Sequence, residues 1–272
     1  PDRAMKRQWY ASPYALWMLM FTIVPLLFVV YYAFTGADGR FTMANFQRIT
    51  QPGYLPVLLT SLKLAFYCTL VCLLVGYPTA YFLASRDFSQ NKMLVVLILL
   101  PMWMNFLLRT YAMMTILENN GLLNTLLEKL GLGKVKLIGT EGAVLLGMVY
   151  NFLPFMVLPI YTALKKTDAG VIEAAEDLGA NPFRVITRVV IPQSVPGVIS
   201  GITMVFMPAV TTFAITRLLS NGMIYLVGDM IEEYFITVNN RNLGSSLSLV
   251  MLVLILISTL LLRRVNPEGG HA

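Results

Sequence analysis

Charge is scarce in this chain of 272 residues: only 12% are Asp, Glu, Lys or Arg, against about 25% in a soluble domain. With 57% hydrophobic residues and a mean hydropathy of +0.70, that shortage excludes an ordinary water-soluble fold and points to a lipid bilayer. Histidine occurs once, at position 271, and cysteine twice, as Cys68 and Cys72. The two cysteines lie four apart in an apolar run, share a helix face and read as packing. With so few ligand side chains, no metal site is expected. The phosphate-cradling pattern G-x-x-x-x-G-K-[ST] is also missing, since Gly131-Leu132-Gly133-Lys134 lacks the upstream glycine and runs into Val135. The chain therefore has no usual means of splitting ATP. Neither H-E-x-x-H nor G-x-S-x-G occurs, so a membrane-embedded enzyme lacks its catalytic cluster. The formal net charge of +6 comes from basic residues scattered at the ends of apolar blocks, which fits membrane flanks and not nucleic acid.

What the chain does have is apolar blocks long enough to cross a hydrocarbon core of about 30 Å at about 1.5 Å per residue. Six are expected, at about 14–34, 57–83, 93–116, 142–164, 196–218 and 243–262. They make an all-α, polytopic membrane protein with a single transmembrane domain over residues 1–272. The first apolar block is too long for a cleaved signal peptide. Gly76 and Pro78 should bend one end of the second block. Residues 121–130 are amphipathic, too short to span, and read as an interfacial helix. If both termini are cytoplasmic, that side holds Arg3, Lys6, Arg7, Arg86, Lys92, Lys165, Lys166, Arg184, Arg188, Arg263 and Arg264. The positive-inside rule favours this orientation.

The longest patterned polar stretch inside the chain is residues 167–192. Thr167 or Asp168 can cap a helix start, and Glu173, Ala174, Ala175 and Glu176 are helix-compatible. Gly179 fits the left-handed position past a helix end. Asn181 can cap a second helix with Pro182 in its first turn, and Pro192 is expected to end that helix. Glu-Ala-Ala at 173–175, Gly179 and Val189-x-Ile191-Pro192 together resemble the EAA loop of ABC-importer permeases. In that family the loop is cytoplasmic and docks into a cleft on the ATPase subunit. The resemblance implies a coupling role for Glu173, Ala174, Ala175, Asp177, Leu178, Gly179, Pro182, Arg184 and Pro192.

Further stretches are similar to spermidine/putrescine importer permeases. They are Gly76-Tyr77-Pro78-Thr79-Ala80-Tyr81, the run from Leu99 to Ala112, Leu153-Pro154-Phe155-Met156 and Met207-Pro208-Ala209-Val210-Thr211-Thr212-Phe213. That resemblance implies a type I importer permease with six spans in a bacterial inner membrane. It also implies a second homologous permease as heterodimer partner, an external solute-binding protein, and two ATPase subunits that bind ATP and Mg. No cofactor is then expected in this chain. The cargo implied is a polyamine, with another small organic solute as the alternative. An ion-driven secondary transporter is the rival class, but no Asp or Glu occupies a span centre to form a proton or ion relay.

Polar and aromatic residues inside the blocks are the candidates for the substrate path: Trp103, Asn105, Arg109 and Tyr111 on the third, Tyr150 and Asn151 on the fourth, with Asp229, Glu232 and Glu233 near the outer mouth. Aromatic faces suit ammonium groups, and carboxylates attract a cation through water. Asn105 and Arg109, four apart, should share a helix face. Arg109 either faces a cavity or snorkels to the interface. Tyr150, Asn151 and Pro154 mark an expected break in the fourth span, whose freed carbonyls line a cavity or are re-satisfied by neighbours.

Overall fold

The computed structural model describes residues 13–36, 38–85 and 92–265. Arg3, Lys6, Arg7 and Arg86, counted above for orientation, lie outside these residues. The described chain is helical, with one isolated bridge between Thr35 and Phe41. In order, the helices are α1 (Pro13–Ala33), α2 (Ala44–Ile49), α3 (Leu55–Ala84), α4 (Lys92–Trp103), α5 (Phe106–Leu117), α6 (Leu122–Lys129), α7 (Glu141–Lys165) and α8 (Ala169–Asp177). They continue with α9 (Pro182–Thr211), α10 (Ala214–Leu219), α11 (Val227–Ile236) and α12 (Arg241–Val265). Five of them, α1, α3, α7, α9 and α12, are long and apolar enough to cross a membrane. The pair Val96–Trp103 and Phe106–Lys129, bent by 99° at its break, passes the same test only when its two arms are taken together.

Contacts divide the chain into two compact units, Pro1–Pro56 with Met230–Leu254, and Val57–Asp229 with Ile255–Ala272. In the first unit the problem to solve is the C-terminus of α1, where the last carbonyls have no intrahelical donor. Side chains supply the donors. Asn45 Nδ2 donates to the carbonyls of Ala33 at 3.2 Å and Thr35 at 3.0 Å. Asn242 Nδ2 donates to Tyr32, Thr35 and Gly36, and Ser246 Oγ to Ala33 at 3.1 Å. The rings of Tyr54 and Tyr234 stack with centroids 6.4 Å apart, and their hydroxyls lie 2.8 Å from each other. Burial first, then the bond to Tyr54, pushes the Tyr234 phenol up to about 12, so the Tyr234 hydroxyl keeps its proton at ordinary pH.

In the second unit α7 is the hub, with 56% of its apolar window buried, whereas none of the α1 window is buried. Between lipid-soluble helices there is little hydrophobic gain, so close approach of small residues carries the packing. Gly197 and Gly201 of α9 face Pro159, Ala163 and Met156 of α7, Gly76 of α3 meets Met156 from another side, and Gly147 of α7 receives Leu219 and Ile215 of α10. Cys68 and Cys72 are free and fully buried in this packing.

Several expectations need correcting. The fourth span is not broken: α7 runs unbroken through Pro154 and Pro159, with other helices of the unit packed against it. Gly76 and Pro78, expected to bend the second block, lie inside the continuous helix α3. Pro192 does not end the second helix of the polar stretch. Instead the ladder widens to a π turn over Ile186–Val190, where the N–H of Ile191 bonds to the carbonyl of Ile186, and the helix continues past Pro192 to Thr211. Opening the ladder by one residue directly before a proline absorbs the missing donor. The same device occurs at Leu19–Ile23, ahead of Pro25. Real breaks occur at Met104–Asn105 and Thr212–Phe213, between α4 and α5 and between α9 and α10.

Candidate functional site

The polar stretch 167–192 is a helix, a reversal and a second helix start. Asp168 is the cap of α8, its Oδ1 accepting from the N–H of Gly170 at 2.9 Å. At the far end the N–H of Gly179 donates to Glu176 at 2.8 Å and that of Ala180 to Ala175 at 3.0 Å. These two bonds form a Schellman closure, which needs a left-handed residue just past the helix; Gly179 supplies it with φ +81°. Asn181 Oδ1 then accepts from the N–H of Arg184 at 2.8 Å, with Pro182 at the helix start.

Charge and apolar surface are distributed around this reversal. Leu178 is 89% and Phe183 73% exposed, which puts two large apolar side chains beside the turn. Glu173, Ala174, Asp177 and Arg184 are exposed as well. Glu173 and Glu176 also line a cavity of about 410 Å³ with Tyr81, Ser85, Lys165 and Thr167. Phe183, an aromatic directly after the Asn181-Pro182 cap, is not among the residues that the resemblance implies.

The path candidates do not gather in one place. Trp103 is 89% exposed at the end of α4, and Tyr111 and Tyr150 are also exposed. Asn105 does not share a helix face with Arg109, because it stands outside the helix as the cap of α5. Its Oδ1 accepts from the N–H groups of Leu107 at 2.9 Å and Leu108 at 3.3 Å. Arg109 is only 5% exposed, so its guanidinium does not snorkel to open solvent. Asn151 is fully buried and reaches Thr110, next to Arg109, through Nδ2 at 3.4 Å. Asp229 is buried and closes the start of α11, its Oδ2 accepting from the N–H of Leu226 at 2.9 Å, the carboxylate half of a capping box. Glu232 is half-buried and Glu233 exposed on the same helix.

Asn105→Ala is expected to lower stability by about 1 kcal/mol, because two N–H groups lose their acceptor. Asn105→Asp keeps the acceptor and should melt close to the wild type. Thermal unfolding in detergent checks the pair.

The chain matches the family model described as "Binding-protein-dependent transport system inner membrane component" over residues 76–268. It is 36% identical to the spermidine/putrescine transport system permease protein PotB of Haemophilus influenzae, over 92% of this chain and 90% of that one. It is 34% identical to PotB of Escherichia coli, over 87% of this chain and 89% of that one. Among solved structures, a bacterial ABC transporter involved in the import of the acidic polysaccharide alginate superposes with a TM-score of 0.77 at 19% identity, covering 97% of this chain and 98% of that one. That likeness shows the fold. The chain thus belongs to the binding-protein-dependent transport system inner membrane components, the multi-pass permeases of ABC importers.

Proposed function

We propose that this chain is a permease for spermidine or putrescine, working with a homologous second permease, two ATPase subunits and an external binding protein. The observation that carries the cargo is the identity of 36% and 34%, over about nine-tenths of the chain, to permeases named for those polyamines. Burial of Arg109 supports it, since a sealed guanidinium does not confront a passing cation. The exposed rings of Trp103, Tyr111 and Tyr150 offer faces to ammonium groups and methylene chains. Uptake of labelled spermidine by vesicles holding the assembled complex, with ATP inside and binding protein outside, is the test. If spermidine and putrescine neither enter nor stimulate ATP hydrolysis while an anion or sugar does, the cargo is wrong and only the permease remains.

In this reading the reversal at Gly179 is the ATPase docking element. The partner ATPase holds ATP and Mg, and alternating access moves the cargo between the two permeases. The placement of Lys165, Lys166, Arg184 and Arg188 around the reversal supports a cytoplasmic position for it. In chains carrying Glu176→Cys or Asn239→Cys, a membrane-impermeant thiol reagent added outside is expected to label position 239 and spare 176. Labelling at 176 from outside would reverse the topology.

A further inference from the structure

Among the described residues of the second unit, the buried Arg109, Asn151 and Thr216 carry polar atoms without a hydrogen-bond partner: Nε and Nη1 of Arg109, Oδ1 of Asn151 and Oγ1 of Thr216. Arg109 is 5% exposed, and Asn151 and Thr216 are fully buried. They belong to α5, α7 and α10, each of which packs against the other two. The orphaned atoms are complementary in kind: guanidinium donors, an amide acceptor, and a hydroxyl able to do either. Asn151 is held by its nitrogen, which donates to the Gly147 carbonyl of its own helix at 2.9 Å and more weakly to Thr110 at 3.4 Å. Its oxygen is what remains to be met.

A buried guanidinium with two nitrogens unmet and an amide oxygen without donors are both costly. They are tolerable in a protein with two working states when the second state joins them. The fold offers that movement. α5 begins just after the break at Met104–Asn105, and α10 just after the break at Thr212–Phe213, while α7 between them is continuous. Each half-helix can therefore slide on α7 without dragging α4 or α9 as a rigid rod.

We propose that Arg109 and Asn151 form a latch that closes in the other state of the transport cycle. Nε or Nη1 of Arg109 then donates to Asn151 Oδ1 as α5 shifts along α7, with the Thr216 hydroxyl completing the set. Neither residue touches cargo; both are positioning residues. The inference rests on the permease reading but not on which solute is carried.

Labelled spermidine uptake by the assembled complex reads one side of it. Arg109→Gln and Asn151→Leu should each lower maximal uptake by about tenfold, with half-saturation by loaded binding protein moved less than about twofold, and the double variant should be no worse than either alone. Arg109→Lys keeps a donor and should recover part of the loss. A second measurement needs no transport. In a chain with Cys68 and Cys72 replaced by alanine, Arg109→Cys with Asn151→Cys is treated with a short bifunctional thiol reagent, in nucleotide-free complex and in complex trapped with ATP. Cross-linking should be high in one state and low in the other. Equal yields in both states, or single effects that multiply in the double variant, overturn the latch. Wild-type uptake is the separate control for the permease reading.

Discussion

A Gly179→Val chain is expected to insert and fold normally and to transport nothing. The residue holds φ +81°, and an added Cβ would meet nothing within 4 Å. The damage is therefore backbone strain alone, about 1–2 kcal/mol or more for a branched residue in the left-handed region. That strain sits on the two bonds that close α8, so relief comes by opening the reversal and moving Leu178 and Phe183 away from each other. Gly179→Asn should keep much of the activity, because asparagine tolerates this conformation, and Gly179→Ala should fall between the two. Glu173→Lys is expected to be as severe as Gly179→Val by a different route, reversing the charge on the exposed face of α8 while leaving the backbone intact. Both are read as cargo-stimulated ATP hydrolysis and uptake in the assembled complex. Full transport with either change rejects the docking role.

Replacing Gly197 should instead remove folded protein. A Cβ there would lie 2.6 Å from both the Ala163 Cβ and the Pro159 carbonyl oxygen, and 3.1 Å from the Ile160 Cα. Two of these neighbours are backbone and cannot step aside, so α9 must move off α7 as a body. Overpacking of this kind costs about 1–3 kcal/mol, and more for a branched residue. Gly197→Val is expected to yield little monodisperse protein, and Gly197→Ala to lower the melting temperature clearly. Gly201→Ala should be milder, because its nearest neighbour is the Met156 sulfur at 2.7 Å, the end of a flexible chain. Gly53→Ala, with nothing within 4 Å, is the silent control. Unfolding curves that rank these variants otherwise refute the close-packing account.

The reversal at 167–192 was largely legible in the sequence because its parts are local. Asp168, Gly179, Asn181 and Pro182 each act within a few residues of themselves, and the backbone they specify does not depend on distant packing. Prolines were the weak point. Pro154 and Pro159 read as breakers, yet α7 continues through both, packed against other helices whose positions no window of sequence reveals. The breaks that do occur had a signal nonetheless. Asn105 follows Pro101 by four residues, and a capping side chain after a proline marks a new helix start more strongly than it marks a polar position on an old one. Thr110 and Thr216 carry no signal in the sequence, because a lone threonine in an apolar run stands out only by its burial. The amides of Asn45 and Asn242, which finish α1, were equally hidden: their carbonyl partners are ten or more residues away in one case and more than two hundred in the other.

The π turn ahead of Pro192 also sets an angle. Each residue of an α-helix advances the direction of its side chain by about 100°, so one residue taken up in a wider turn dials everything beyond it round by roughly that amount relative to an unbroken rod. The face on which Phe183 and Arg184 stand is thus geared to the face on which Gly197 and Gly201 meet α7 through a one-residue offset at Ile186–Val190. Shortening that segment by a single residue would leave the membrane half seated on its glycines and swing the reversal to another compass bearing. Pro192 holds the gear in place.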